Sequence, residues 1–244
     1  MHISLRSVLV LSTFFMCTHA HTSSSKLSDQ RTPTASILDM VAPHLPDSPV
    51  ILEAGAYDGK DTRLMALKWP NATIHAFEPD PQAFAKLVAT TSRINNIHVY
   101  EYALGTHNGS AIFHQSEDNG NTWSGSLLEP KEHLNYAPTT FNTTVQVHVK
   151  MLDTWAQEYG IDHIDFLWLD MQGFELPAMK AGPTIMNTVK VIYCEVEFVE
   201  AYAGQPLYKE VLTWLQDQGF RLIFTDFKEG DPNRWWGNIL MVRD

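Results

Sequence analysis

From Pro49 onward, short apolar runs rich in β-branched and aromatic residues alternate with longer stretches whose apolar positions recur every three or four residues. The runs are Val50 to Ala54, Thr73 to Phe77, His98 to Ala103, Ile164 to Leu169, Val189 to Val196, Phe220 to Phe227 and Trp236 to Val242. Amphipathic stretches separate most of them: Asp61 to Lys68, Pro81 to Arg93, Leu152 to Tyr159, Glu175 to Ala181 and Leu207 to Gln218. Such alternation predicts a parallel sheet with helices on both faces. Only the turn-rich Lys228 to Arg234 parts the last two runs. A right-handed parallel crossover does not fit there, whereas an antiparallel hairpin does. The expected fold is therefore α/β, a single domain with a seven-stranded, mostly parallel sheet whose last strand is antiparallel.

Two regions depart from the alternation. Residues 106–151 hold alternating segments, Ala111 to His114 and Thr143 to Val149, around a Gly/Asn/Ser-rich loop, Asp118 to Ser126. They read as an inserted β segment with a mobile loop, between the third and fourth strands, where ligand choice is usually built. Residues 21–47 are rich in Ser, Thr and Pro and read as a linker with one short helix, Thr34 to Val41. The domain proper is expected over 48–244.

Residues 1–20 carry Arg6, an apolar run from Val8 to Cys17 and then Thr18-His19-Ala20, the layout of a secretory signal. Ten helical residues span roughly 15 Å, half a bilayer's hydrocarbon, so no stable transmembrane anchor is expected. Export with a mature start near His21 is the leading expectation, and a cytoplasmic chain with an uncleaved start is the alternative. Cys194 would then be the remaining thiol, in an apolar run that suits a buried structural cysteine.

A composition with 44% apolar and 18% charged residues is that of a globular protein with a sizeable core. The 28 acids against 17 bases give a net charge of −11, which becomes −12 once Arg6 leaves with the leader. Such a surface repels polyanions, so nucleic acid is not the expected partner. No pattern in the chain sets an oligomeric state.

The chemistry concentrates at strand ends. Val50-Ile-Leu-Glu53-Ala-Gly55-Ala-Tyr-Asp58-Gly59-Lys-Asp61-Thr62 is a buried strand running into a glycine turn and a helix. Glycines let backbone approach a ligand, and amides at a helix start favour an anionic group. The dinucleotide spacing G-x-G-x-x-G is absent. A carboxylate at position 53 would repel a pyrophosphate, yet it can orient a ligand ammonium. Glu78, in Ala76-Phe77-Glu78-Pro79-Asp80, ends the second strand, where an acid suits both hydroxyls of a ribose. That placement fits a nicotinamide nucleotide as well as an adenosyl cofactor, and an ordinary turn acid is the plainer reading.

These segments, with Ala103-Leu-Gly105, Leu152-Asp153-Thr-Trp155, Ile164-Asp165-Phe-Leu-Trp-Leu-Asp170-Met-Gln-Gly173-Phe-Glu175 and Ile192-Tyr-Cys-Glu195-Val, resemble the ordered blocks of the FkbM-type S-adenosylmethionine-dependent methyltransferases. The resemblance runs from Val50 to Asp244. It implies a Rossmann-like class I methyltransferase fold, S-adenosyl-L-methionine (SAM) as cofactor and hydroxyl groups of small molecules or glycans as acceptors. By the same resemblance Gly55, Ala56 and Gly59 would form the loop against the methionine moiety, Glu53 and Asp58 would flank its charged end, Glu78 would take the ribose, and Ala103 and Leu104 would line the adenine side.

Asp170 closes the fourth strand, beside the expected position of the transferable methyl. The Asn/Asp-Pro-Pro-aromatic turn of amide- and base-modifying relatives is replaced by Asp170-Met171-Gln172-Gly173. A carboxylate that can accept a hydroxyl proton favours O-methylation, with Asp170 as the catalytic candidate; a structural carboxylate bonded to the turn is the competing reading. The commoner family version has a Lys near Trp168 and a Glu at Gln172, and this chain departs from both. Glu195 and Glu197 share a strand face, but no clustered Asp/His spacing supports a metal, and none is assigned. His114, His133 and His148, in or beside the insertion, read as surface or loop residues, with a catalytic base as the alternative, and Trp123 and Trp235-Trp236 as packing residues, with sugar stacking as the alternative. Two other functions compete with the enzyme: a SAM-binding degenerate domain used as an interaction module, and a nicotinamide-dependent oxidoreductase.

Overall fold

The computed structural model describes residues 31–118, 120–231 and 234–243. The signal-like leader lies outside them, and so do residues 21–30. The chain opens with α1 (Thr34–Val41), a 3-10 turn (Ala42–His44), β1 (Val50–Ala54), α2 (Lys60–Lys68), β2 (Thr73–Phe77), α3 (Pro81–Thr91) and β3 (Ile97–Tyr100). The insertion follows as β4 (Ala103–Leu104), β5 (Gly109–Glu117), α4 (His133–Tyr136) and β6 (Thr140–Lys150). Then come α5 (Leu152–Tyr159), β7 (Phe166–Leu169), α6 (Glu175–Lys180), α7 (Pro183–Met186), β8 (Val191–Glu197), α8 (Tyr208–Asp217), β9 (Arg221–Thr225) and β10 (Trp236–Val242).

The main sheet has the order β3-β2-β1-β7-β8-β10-β9. Its first five strands pair parallel, and β10 runs antiparallel to both β8 and β9. This is the sheet expected from the run pattern. The order reverses between β1 and β7, so a crevice opens beyond their carboxyl ends, the usual ligand position in such sheets.

Strand alternation sorts the core into two layers. Ile51, Phe166, Val191 and Tyr193 face α1 and α2, while Leu52, Leu167, Ile192 and Cys194 face α5 to α8. The same parity turns Glu53, Asp170 and Glu195 toward the α1 side at the sheet's carboxyl end. Cys194 is fully buried, and burial pushes its thiol up.

Two local expectations change. The run His98 to Ala103 is not one strand: Ile97–Tyr100 pairs with β2, whereas Ala103–Leu104 leaves the main sheet and pairs with Val149 and Lys150 of β6. The insertion offers unsatisfied backbone that draws those two residues away, giving a second sheet of order β4-β6-β5. Helix α7, unmarked by any long periodic segment, begins with Pro183 after Gly182 and spans 4 residues.

Helix α1 packs into the same body. Ile37, Leu38 and Val41 are buried among Ile51, Met65 and Phe166, and the Thr34 hydroxyl donates to the Asp61 carboxylate at 2.7 Å. The stretch read as a linker thus carries core residues. Leu38→Ala is expected to lower unfolding free energy by about 2–5 kcal/mol, measured by urea denaturation. A loss below about 0.5 kcal/mol would mean that α1 is not part of the cooperative core.

Candidate active site

The crevice at the reversal point is a cavity of about 860 Å³, within the range of roughly 300–1,000 Å³ common for small-molecule sites. Its floor is set by a close approach of two backbones. Gly55 has φ +86°, and a Cβ built on it would lie 1.8 Å from the Asp170 carbonyl oxygen. The amide of Asp170 in turn donates to the Ala54 carbonyl at 2.9 Å. Only glycine meets both demands, so the loop after β1 and the turn after β7 are held against each other.

Beside that floor the loop after β1 reaches β2. The amides of Gly55 and Ala56 both donate to the Phe77 carbonyl, at 3.0 and 2.9 Å. Tyr57 takes a left-handed φ of 48°, and its amide donates to Glu78 Oε2 at 2.8 Å while the Asp80 amide donates to Oε1 at 2.8 Å. Two amides fix the plane of the Glu78 carboxylate and leave lone pairs on each oxygen for a diol on the cavity side. Burial pushes this carboxyl up to about 7. Glu53, also buried, receives the Thr62 hydroxyl, and burial raises it well above the usual carboxylate range, with Asp61 adding to the effect. Asp58 accepts from the Lys60 amide at 3.2 Å and pairs with its ammonium at 2.7 Å.

The other half of the cavity centres on Asp170. Arg31 donates to its Oδ2 at 2.7 Å, and Gln172 donates to its Oδ1 at 2.8 Å. The same Gln172 amide group donates to Glu195 Oε2 at 2.6 Å, and its carbonyl accepts from the Tyr202 hydroxyl at 2.8 Å. Gln172 sits at φ 54°, a conformation rare for a side-chain-bearing residue. Glu195 and Glu197 are both buried, which raises both well above the ordinary range; Asp170 adds to the shift of the first and Glu175 to that of the second. Glu175 accepts from the Met171 amide at 2.6 Å and is pushed up to about 7 by burial.

The insertion closes the mouth. Ser126 donates its hydroxyl to the Gln172 carbonyl at 2.8 Å, and residues 129–133 bond through backbone to residues 200–203 after β8. Trp123 and Tyr136 line the cavity and are about half exposed, and Tyr136 stacks on Trp235 at 5.8 Å. His133 corrects the sequence reading, being neither surface nor loop. It is buried on α4 against Phe141, Tyr202 and Trp235, and burial lowers it to about 4.

Of the residues assigned from sequence, Glu53, Gly55, Ala56, Asp58, Glu78, Ala103, Leu104 and Asp170 all line this one cavity. Gly59 stands behind it: at φ +75° it precedes α2 as the N-cap, and an added Cβ would meet Leu87 at 2.8 Å. Three participants were not assigned. Gln172 was noted only as a departure, although an amide there can donate to two carboxylates that a third carboxylate would repel. Tyr202 and Arg31 lie in segments with no periodic signal.

The glycine cradle and the amide-held Glu78 fit an adenosyl cofactor carrying an amino-acid tail, at the reversal point of a 3-2-1-4-5-7-6-type sheet. The fold and site are those of a class I SAM-dependent methyltransferase. The sequence matches the methyltransferase FkbM domain over residues 53–222, and the chain belongs to that family. It is 34% identical over 188 residues to the 2-O-methyltransferase NoeI of Sinorhizobium fredii, covering 75% of this chain and 77% of that one. With methyltransferase sdnD of Sordaria araneosa it shares 26% over 222 residues, 79% and 81% of the two chains. A Streptococcus mutans protein solved with S-adenosylhomocysteine (SAH) shares the fold, with TM-score 0.51, 13% identity and 88% and 99% coverage. SAM is the cofactor, and the nicotinamide reading falls away.

Two predictions follow from the carboxylates. Glu78→Ala is expected to weaken SAH binding by about 10- to 100-fold in calorimetry, and unchanged affinity would remove the ribose assignment. The pH dependence has a definite sign. The raised carboxyls keep protons in the folded chain that the unfolded chain releases, so their contribution is complete below the unfolded value of 4.5 and is lost as pH rises through about 7. The ligand-free protein should therefore melt at a lower temperature near pH ~8 than near pH ~6, with a shallower dependence in Glu78→Gln. A melting temperature that rises over that interval would contradict it.

Proposed function

We propose that this methyltransferase acts on a hydroxyl oxygen of a small molecule or glycan, with Asp170 receiving the proton. The observation that carries the reading is Asp170 itself, on the cavity wall where β1 and β7 diverge, with each carboxylate oxygen held by a neighbour. Bound SAM supplies a methyl carbon on a positively charged sulfonium; the new C–O bond forms as the C–S bond breaks, and SAH is left. Asp170 needs only to orient the acceptor hydroxyl and take its proton as the oxygen is alkylated. Most of the acceleration comes from alignment, which the fixed spacing of the Gly55 loop and the Asp170 turn provides.

The surroundings support a neutral acceptor. Among the described residues, nine carboxylic side chains and two guanidiniums line the cavity, a balance that attracts a sulfonium and disfavours a phosphate-bearing strand. Half-exposed Trp123 and Tyr136 offer flat apolar faces at the mouth, suited to a ring. The Sinorhizobium relative is a 2-O-methyltransferase, in line with oxygen as the acceptor atom.

The test is incubation with methyl-labelled SAM and fractionated metabolites and glycans, followed by mass spectrometry of the labelled product. A methyl ether is expected, whereas label on nitrogen, carbon or nucleic acid would overturn the reading. Asp170→Asn should lower turnover by about 10²- to 10⁴-fold with SAH affinity nearly kept. Full activity in that variant would remove Asp170 from catalysis.

A further inference from the structure

We infer that Arg31 is the counter-ion for the α-carboxylate of bound SAM, so that the residues just ahead of α1 complete the cofactor site. The inference rests on the SAM assignment and goes beyond it by naming a cation for the one anionic group of that ligand.

The charge pattern poses the problem. A methionine tail brings a carboxylate into a cavity whose described lining includes nine acids. The usual seat for such a group, the amides opening a helix, is compromised here: the first amide of α2, on Lys60, already donates to Asp58. With one of those amides taken, a cationic side chain is the stronger partner for a ligand carboxylate, and among the described residues the cavity offers two guanidiniums. Arg234 is committed, with Nη2 on the buried Asp226 at 3.4 Å and Nε on the Trp236 carbonyl at 3.3 Å. His133 is buried and held neutral near neutral pH.

Arg31 has both the place and the free valence. It projects into the cavity beside the methionine loop, close enough to Asp61 for its charge to oppose the effect of burial on that carboxyl. The Thr34 hydroxyl, three residues on, is bonded to Asp61 in the first turn of α2, which sets the segment in register with the loop. Among the described residues only Nη2 of the guanidinium makes a hydrogen bond, to Asp170, and Glu195 lies 3.9 Å away. The planar fork carries five N–H donors, so the Asp170 bond leaves an edge for a carboxylate. Packing against Trp236, 5.6 Å from its ring centre, steadies the side chain.

The test uses two ligands that differ only in that carboxylate, SAH and decarboxylated SAH, titrated calorimetrically into the full chain. The unaltered protein should prefer SAH. Arg31→Ala should lose about 10- to 100-fold in SAH affinity while binding the decarboxylated ligand as before, and Arg31→Lys should recover part of the loss. Equal loss for both ligands would mean a structural role, and unchanged SAH affinity would mean that Arg31 serves Asp170 alone; either overturns the inference. Should the unaltered protein bind neither ligand, the SAM assignment of the cavity fails and the inference with it.

Discussion

The site depends on one steric constraint, the contact of the Gly55 backbone with the Asp170 carbonyl. A side chain at position 55 would need the space that oxygen occupies, 1.8 Å away. Because β1 and β7 are neighbours in the sheet, this contact ties the loop after β1 to the Asp170 turn at the spacing of two strands. The distance between donor and acceptor halves is thus a property of the sheet rather than of flexible loops. Rigid placement of this kind is what an in-line displacement requires.

The cost of that placement is a crowd of buried acids. Glu53, Glu78, Glu175, Glu195 and Glu197 all lie in the interior, and burying carboxylates without partners is unfavourable. The chain offsets this locally: a hydroxyl from Thr62 for Glu53, amides from Tyr57 and Asp80 for Glu78, and the Met171 amide for Glu175. Gln172 joins Asp170 to Glu195 and is itself held by Tyr202. Burial raises these groups above the ordinary carboxylate range, which makes protonation easier for them than in water. The left-handed Tyr57 and Gln172 belong to the same accounting, since each aims a hydrogen-bonding group that an unstrained backbone would turn away.

Most of the sheet was legible because its signal is local and periodic. The seven runs fall on the seven strands of the main sheet, and the absence of a helix before Trp236 sufficed to reverse the last strand. The strand expected over His98 to Ala103 failed because pairing with β6 is non-local, and two residues carry no periodicity to announce it. The cofactor half of the site was legible for a related reason: Glu53, Gly55 and Glu78 stand at strand ends in one continuous motif. In the half around Asp170, that residue was legible at its strand end but its partners were not. Arg31, Gln172 and Tyr202 meet only through tertiary contacts spanning up to 139 residues, and His133 looks like a loop histidine until residues 129–133 are seen bonded to 200–203.

This division has a physical consequence for how acceptors are chosen. The β1 loop, Glu78 and the Asp170 turn each follow directly on a strand of the main sheet. The wall facing the acceptor comes from three connections: the insertion with Trp123 and Tyr136, the segment ahead of α1, and the β9–β10 link with Trp235. None of them supplies a strand to the main sheet, so each can change length and composition without moving the Gly55–Asp170 contact. Substitutions in those three connections should therefore alter acceptor preference while leaving the cofactor half intact. Arg31 is the exception, because the cation that touches Asp170 also borders the methionine loop and so couples the two halves.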